Sequence, residues 1–137
     1  MNYAEFLEAV KERAGLPPTE AANIIRATLT TLAERLSGGE ARDLAAQLPE
    51  EYRGYLHKGV EFAEQFDLVE FLNEVQTRAG LDDRRAAEGA HAVLMTLREA
   101  VSADEFGDLE SELSKDIRQL FHPAGGLCRW HEPTPWP

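Results

Sequence analysis

The feature that most constrains this chain is that it repeats itself. When the sequence is shifted by 65 positions, residues 6–56 align with residues 71–121 without a gap, and 20 of the 51 aligned pairs are identical. Composition alone would give about four identities over this length. The longest identical run is Arg13–Leu16 against Arg78–Leu81. We therefore expect a tandem duplication that folds as two similar units of about fifty residues.

Each copy opens with the signals that start and stop an α-helix. Asn2 and Asp67 are each followed three residues later by a glutamate, which is the pattern of a capping box. Gly15 and Gly80 then supply the left-handed residue that commonly ends a helix. The first helix of each copy is therefore expected to lie between these residues.

The second helix of each copy is unusually apolar. Residues 21–33 carry only one charge, Arg26, and residues 86–97 are interrupted only by Glu88 and His91. The two helices are expected to begin near Pro18 and after Asp82. A helix that is apolar around so much of its circumference is buried on more than one side. We therefore expect these two helices to pack on each other at the centre, with shorter helices outside.

Two further short helices are expected in each copy. Ser37 and Ser102 begin the third helix, and each is again followed three residues later by glutamate, so both resemble capping boxes. The fourth helix is expected to begin at Pro49 in the first copy and after Ser114 in the second. No segment alternates between apolar and polar residues for long enough to indicate a sheet.

Together these patterns predict an all-α fold, in which a duplicated unit of three to four helices forms one pseudo-twofold helical bundle. A single helical domain is expected over residues 1–121, with repeats at 2–56 and 67–121 and a linker at 57–66. Residues 122–137 form a separate tail that is rich in proline, glycine and tryptophan.

Residues 36–40, Leu-Ser-Gly-Gly-Glu, resemble the signature of ATP-binding-cassette ATPases. That signature acts opposite a phosphate-binding loop, and the sequence contains no GxxxxGK[ST] pattern. The second copy keeps Ser102 and Glu105 but neither glycine. We therefore interpret the motif as helix capping and expect no nucleotide cofactor.

The net charge of −11 is unevenly distributed. Seven basic and nine acidic residues precede position 61, whereas seven basic and sixteen acidic residues follow from there. Such an acidic chain is repelled by phosphate backbones and anionic lipids, so we expect neither nucleic-acid nor membrane partners. The single cysteine and the absence of a recognisable secretory signal favour the cytoplasm.

Catalytic and metal-binding patterns are weak. His122, Cys128 and His131 are metal ligands in kind, but their spacing matches no strong zinc pattern and a fourth ligand is not evident. We interpret His57 and His91 as structural or solvated histidines. The carboxylates are expected at helix caps and on polar faces, and no spacing indicates a catalytic triad. We expect no cofactor and no enzyme activity.

The tail is the one segment outside the repeat. It contains both tryptophans and four of the seven prolines. Alternating prolines favour an extended polyproline-II backbone, and tryptophan commonly anchors a contact. The tail is expected to cover a groove of its own chain or to dock on a neighbouring subunit or partner. The predicted contact residues are Trp130, Pro133, Pro135 and Trp136.

Several of these segments resemble the bacterial domain-of-unknown-function family 2267. The resemblance rests on Tyr3 to Leu7, on Arg13–Leu16 and on residues 36–49, with the second copy matching the second half of the family's domain. It covers roughly residues 2–121 and excludes the tail. It implies a small, all-helical bacterial protein and little about activity.

Two functions are expected from different classes. The first is a non-enzymatic protein-interaction or regulatory module that self-associates as a homo-oligomer, with the tail as a contact element. The alternative is a small-molecule binder whose ligand lies between the two copies, in an apolar pocket lined by Ile24, Thr28, Val93 and Met95.

Overall fold

A computed structural model describes residues 1–56 and 67–122. The described residues form helices joined by short turns, and no strand occurs among them. The α-helices are α1 (Tyr3–Ala14), α2 (Pro18–Glu34), α3 (Gly38–Ala46), α4 (Glu50–Arg53), α5 (Leu68–Ala79), α6 (Asp83–Ala100), α7 (Ala103–Ser111) and α8 (Lys115–Arg118). Short 3-10 turns follow α4 at Gly54–Leu56 and α8 at Gln119–Phe121. The all-helical prediction is confirmed for this part of the chain.

The ends of α1 and α5 follow the local sequence signals. The Asn2 side chain accepts a hydrogen bond from the backbone N–H of Glu5, and the Asn2 backbone N–H donates to the Glu5 carboxylate, so this capping box is complete. Asp67 accepts the corresponding bond from the backbone of Glu70. Both helices end at a glycine in the left-handed region, Gly15 with φ 65° and Gly80 with φ 72°.

The long helices α2 and α6 contact each other and contribute much of the buried core, as expected. They approach very closely at one point. A β-carbon added to Gly89 of α6 would lie 2.6 Å from Cγ1 of Ile24 in α2. Real β-carbons do not tolerate so short a contact. The two helices can therefore cross this closely only with a glycine at position 89.

The first helix of each half of the chain packs mainly on the long helix of the other half. The α1 helix contacts α6 more extensively than α2, and α5 contacts α2 more extensively than α6. This exchange was not foreseen, because hydrophobic periodicity identifies a buried face without identifying what covers it. The two halves of the chain are therefore interlocked.

Two arginines fix this exchanged packing. Arg13 of α1 donates to Thr96 Oγ1 at 2.8 Å and to Glu99 at 2.6 Å, both on α6. Arg78 of α5 donates to Thr31 Oγ1 at 2.8 Å and to Glu34 at 2.7 Å, both on α2. Each member of the first set is separated from its counterpart in the second by 65 positions.

None of the helices in residues 1–56 and 67–122 is long and apolar enough to cross a membrane.

Candidate functional site

The short helices α3 and α7 contact each other, one from each half of the chain. Their N-terminal caps are Ser37 and Ser102, whose hydroxyls accept from the backbone of Glu40 at 3.2 Å and of Glu105 at 3.1 Å. This half of the predicted capping boxes is confirmed.

The other half of those two boxes is wrong. The backbone N–H of Ser37 donates to Glu112 at 2.7 Å, and the backbone N–H of Ser102 donates to Gln47 at 2.7 Å. In each case, a side chain from the other half of the chain accepts the hydrogen bond that the glutamate of a capping box would accept. Since the cap N–H groups are already satisfied, Glu40 and Glu105 are free to turn elsewhere.

The two released glutamates turn towards each other across the seam between α3 and α7. Glu40 is 7% exposed and Glu105 is 5% exposed. Their carboxyl groups lie within hydrogen-bonding reach, and the Oε2 atom of each is buried without a hydrogen-bond partner among the described residues. Asp43, an exposed residue one turn along α3, offers a third carboxylate, and one oxygen from each of the three lies within 4.8 Å of the others.

The electrostatics of this carboxylate cluster, defined as Glu40, Asp43 and Glu105, oppose full ionisation. Burial, a hydrogen bond with Glu105 and the charges of Glu105, Glu112 and Asp108 together raise the pKa of Glu40 from 4.5 to about 8. An ionised carboxylate only accepts hydrogen bonds, so two that face each other need a proton or a cation between them. The cluster can therefore hold a positive charge.

Glu40 and Glu105 of the cluster lie in a buried seam and not in an open cleft that the structure describes. Two open clefts among the described residues are lined by Asp82–Arg85 with Glu88, and by Glu110, Lys115, Arg118, Gln119 and His122. Neither contains a member of the carboxylate cluster. The carboxylates converge, as an acid–base enzyme would require, but in a buried seam.

A second feature is a group of aromatic side chains where α1 meets α4. The ring centroid of Tyr52 lies 5.2 Å from that of Tyr3, 5.1 Å from that of Phe6 and 6.2 Å from that of Tyr55. Tyr52 is buried, Tyr55 is half-buried and Tyr3 is 36% exposed. Burial and the neighbouring Tyr3, Tyr55 and Glu51 raise the pKa of Tyr52 above its usual range. We call Tyr3, Tyr52 and Tyr55 the tyrosine group.

The tyrosine group belongs to the first half alone. Its counterparts 65 positions later are Leu68, Ile117 and Leu120. The second half instead carries an edge-to-face pair of Phe106 and Phe121, with centroids 5.3 Å apart. The first half thus has three tyrosines, of which Tyr3 and Tyr55 are at least partly exposed, where the second half has aliphatic side chains.

Of the candidate metal ligands in the tail, only His122 lies within the described residues. Its Nδ1 is 3.3 Å from a nitrogen of Arg98, and its Nε2 is 3.5 Å from a carboxylate oxygen of Glu110. Its backbone carbonyl contacts Nε2 of His91, so His91 is hydrogen-bonded, as expected. An arginine beside the ring disfavours a metal cation there.

The other predicted site residues lie outside residues 1–56 and 67–122. These are the weak metal candidates Cys128 and His131, the linker histidine His57, and the predicted contact residues Trp130, Pro133, Pro135 and Trp136.

The residues proposed to line a ligand pocket are in the core. Ile24, Thr28 and Val93 are fully buried, and Met95 is half-buried. The Thr28 hydroxyl has no hydrogen-bond partner among the described residues. However, Ile24 packs directly on Gly89, so the two long helices are in contact where the ligand would have to lie.

The carboxylate cluster was missed in the sequence because each glutamate fits a capping box. A second signal was present in the pattern Glu-x-x-Asp, which occurs at Glu40–Asp43 and again at Glu105–Asp108. Residues three apart share a helix face, so two copies of this pattern place carboxylates together wherever the two helices meet.

A family model described as "Uncharacterized conserved protein (DUF2267)" matches residues 3–120. A comparison with curated proteins gave no match.

Proposed function

This chain belongs to the DUF2267 family, and we propose that it is a non-enzymatic protein-interaction or regulatory module that self-associates through its C-terminal tail. The tyrosine group is the observation that carries this proposal. Tyrosine is enriched at protein interfaces because it combines a large contact area with a polar end.

The chemistry of the tail fits the tyrosine group. Prolines at 133, 135 and 137 favour a polyproline-II backbone, and such segments dock into grooves lined by aromatic rings. Trp130 and Trp136 add large apolar anchors of the kind that dominate interfaces. We propose that these residues, with Pro133 and Pro135, contact the tyrosine group.

We propose that this contact forms between two copies of the chain. The tail follows the second half, whose last 3-10 turn packs on α6, whereas the tyrosine group belongs to the first half, whose corresponding turn packs on α2. Reciprocal exchange between two copies would give a closed homodimer. Docking of the tail on its own chain is the outcome that would contradict this step.

The two halves of the chain also share an origin and a symmetry in this proposal. We infer that a tandem duplication produced two halves related by a pseudo-twofold axis. The 20 identities and the matching bonds of Arg13 and Arg78 support this inference. Bacterial origin, a cytoplasmic location and the absence of a nucleic-acid partner belong to the same proposal, the last supported by the net charge of −11.

Two rival functions have less support. A ligand between the copies would have to separate Ile24 from Gly89, which are in direct contact. An enzyme would use the carboxylate cluster, but Glu40 and Glu105 are more than nine-tenths buried.

The experiment compares the light-scattering mass of the full chain with that of two variants. Trp130→Ser/Trp136→Ser removes the tail anchors, and Tyr3→Ala/Tyr55→Ala removes the exposed part of the tyrosine group. We expect a dimer for the full chain and a monomer for both variants.

The matched control is Val69→Ala, which truncates an apolar side chain that is 66% exposed at the start of α5. This control should remain dimeric. A full chain that is monomeric at all concentrations would refute self-association. A dimer that survives in both variants would refute the assigned contact.

A further inference from the structure

We propose that the seam between α3 and α7 binds a hard divalent cation, with Glu40, Asp43 and Glu105 as its ligands. This site is separate from the tail and the tyrosine group, and it goes beyond the interaction function proposed above.

The spacing of the three carboxylates suits one ion. One oxygen from each residue lies within 4.8 Å of the others. Two oxygens bound to the same ion can be at most twice the metal–oxygen distance apart, which is roughly 4 Å for Mg²⁺ and 5 Å for Ca²⁺. The residues are therefore close enough to ligate a shared ion with little movement.

The buried oxygens provide an independent indication of a ligand. The Oε2 atoms of Glu40 and Glu105 are shielded from solvent and have no hydrogen-bond partner among the described residues, and both side chains are more than nine-tenths buried. A buried polar atom without a partner is costly, and two carboxylates that are both ionised only accept hydrogen bonds, so they cannot satisfy each other without a proton or a cation. A cation between them would satisfy both.

The charge of the cluster favours a divalent ion over a proton. A single shared proton leaves two negative charges on the three carboxylates, whereas a divalent cation leaves one. The negative charges of Glu105, Glu112 and Asp108 act on Glu40 from α7 and the residue that follows it. Carboxylates without nitrogen or sulfur ligands select hard ions such as Ca²⁺, Mg²⁺ and Mn²⁺.

Asp43 gives the ion a route into the site. Its side chain is exposed, whereas the two glutamates are buried behind it. An ion can therefore be captured at the surface by Asp43 and exchange its water ligands for the glutamates. Remaining coordination positions would be filled by water, as is usual for these cations.

The test is isothermal titration calorimetry, in which the chelator-treated full chain is titrated with CaCl₂ or with MgCl₂. The melting temperature of the protein is also measured at each ion concentration. We expect the chain to bind Ca²⁺, Mg²⁺ or both saturably, with one ion per chain and a dissociation constant in the micromolar to millimolar range. The melting temperature should rise with ion concentration, because an ion that binds only the folded state stabilises it.

Three variants locate the site. Glu40→Gln keeps the shape of the side chain and can donate to Glu105, so it should remain folded, and Asp43→Asn alters an exposed residue. Each should weaken binding by at least about tenfold. Glu12→Gln, at an exposed position of α1, is the matched control and should bind like the unmodified chain.

Two results would overturn the proposal. One is the absence of saturable binding and of any thermal shift with either ion up to about 10 mM, well above the usual affinity range, which would mean that the glutamates share only a proton. The other is binding that retains its affinity in both Glu40→Gln and Asp43→Asn, which would place the ion elsewhere.

Discussion

Gly89 of α6 packs directly against Ile24 of α2, and the two residues are 65 positions apart in the chain. Glu40 and Glu105, which face each other between α3 and α7, are also 65 positions apart. When two units are related by a twofold axis, a residue can contact its own counterpart only next to that axis. The two contacts therefore agree with the pseudo-twofold axis that we propose, and they mark where it would run.

Substitution of Gly89 by alanine should destabilise the protein by about 1–3 kcal/mol. Alanine normally favours a helix over glycine by about 1 kcal/mol, but here its β-carbon would lie 2.6 Å from Ile24. Overpacking should outweigh the gain in helix propensity. Urea unfolding monitored by circular dichroism measures the difference.

Gly107 provides the matched control, since it lies in α7 and a β-carbon there would meet nothing within 4 Å. Gly107→Ala should stabilise the protein by up to about 1 kcal/mol. The double variant Gly89→Ala/Ile24→Ala should lose at least about 1 kcal/mol less free energy of unfolding than the two single variants lose in sum. The smaller side chain at position 24 leaves room for the β-carbon at position 89. Strict additivity would show that the two helices do not meet here.

Loss of either interlocking arginine should destabilise the protein by about 1–2 kcal/mol. Arg13→Ala removes hydrogen bonds to Thr96 and Glu99, and Arg78→Ala removes those to Thr31 and Glu34. Hydrogen bonds to charged groups contribute about 1.5–3 kcal/mol each, less where they are partly exposed.

Arg84→Ala is the control for these arginines, because Arg84 is 72% exposed and its pairing with Glu88 lies within a single helix. Such pairs contribute less than about 0.5 kcal/mol. If all three substitutions had the same small effect on the free energy of unfolding, the arginines would not fix the exchanged packing.

The free energy of unfolding should decrease as pH rises from about 4.5 to 8 in the presence of a chelator. Glu40 has a pKa of about 8 in the folded protein against 4.5 ordinarily. Between these values the folded state retains a proton that the unfolded state has lost, so the stabilisation present at low pH disappears as pH passes through 8. The change should be a few kcal/mol, since one pKa unit corresponds to about 1.4 kcal/mol.

Glu40→Gln carries a permanently neutral side chain and should remove most of this dependence. It should therefore be more stable than the unmodified chain at pH 8 and closer to it at pH 5. Parallel pH profiles for the two proteins would contradict the assignment of the raised pKa to Glu40.

The helices could be predicted from sequence because their signals are local. Asn2, Gly15 and Pro18 each act within one helical turn of their own position, and the structure places helix ends at all three. The apolar stripes of α2 and α6 likewise predicted that these helices lie in the core.

The exchanged packing and the carboxylate cluster could not be predicted, because both depend on distant partners. Glu40 does not complete a capping box, because the backbone N–H of Ser37 donates to Glu112, which is 75 positions away in the chain. Arg13 reaches Thr96 across 83 positions. Only the occurrence of Glu-x-x-Asp in both halves of the chain indicated a shared site.

The central claim, that two copies associate through the tail, is tested most directly by tryptophan fluorescence. Both tryptophans of the chain lie in the tail, at positions 130 and 136, so their emission reports on this segment alone. Emission and light-scattering mass are measured together over a dilution series of the full chain. We predict that the emission shifts to shorter wavelength over the same concentrations at which the mass doubles, and that Tyr3→Ala/Tyr55→Ala abolishes both changes. An emission spectrum that is independent of concentration, with the mass of a monomer throughout, would contradict the account.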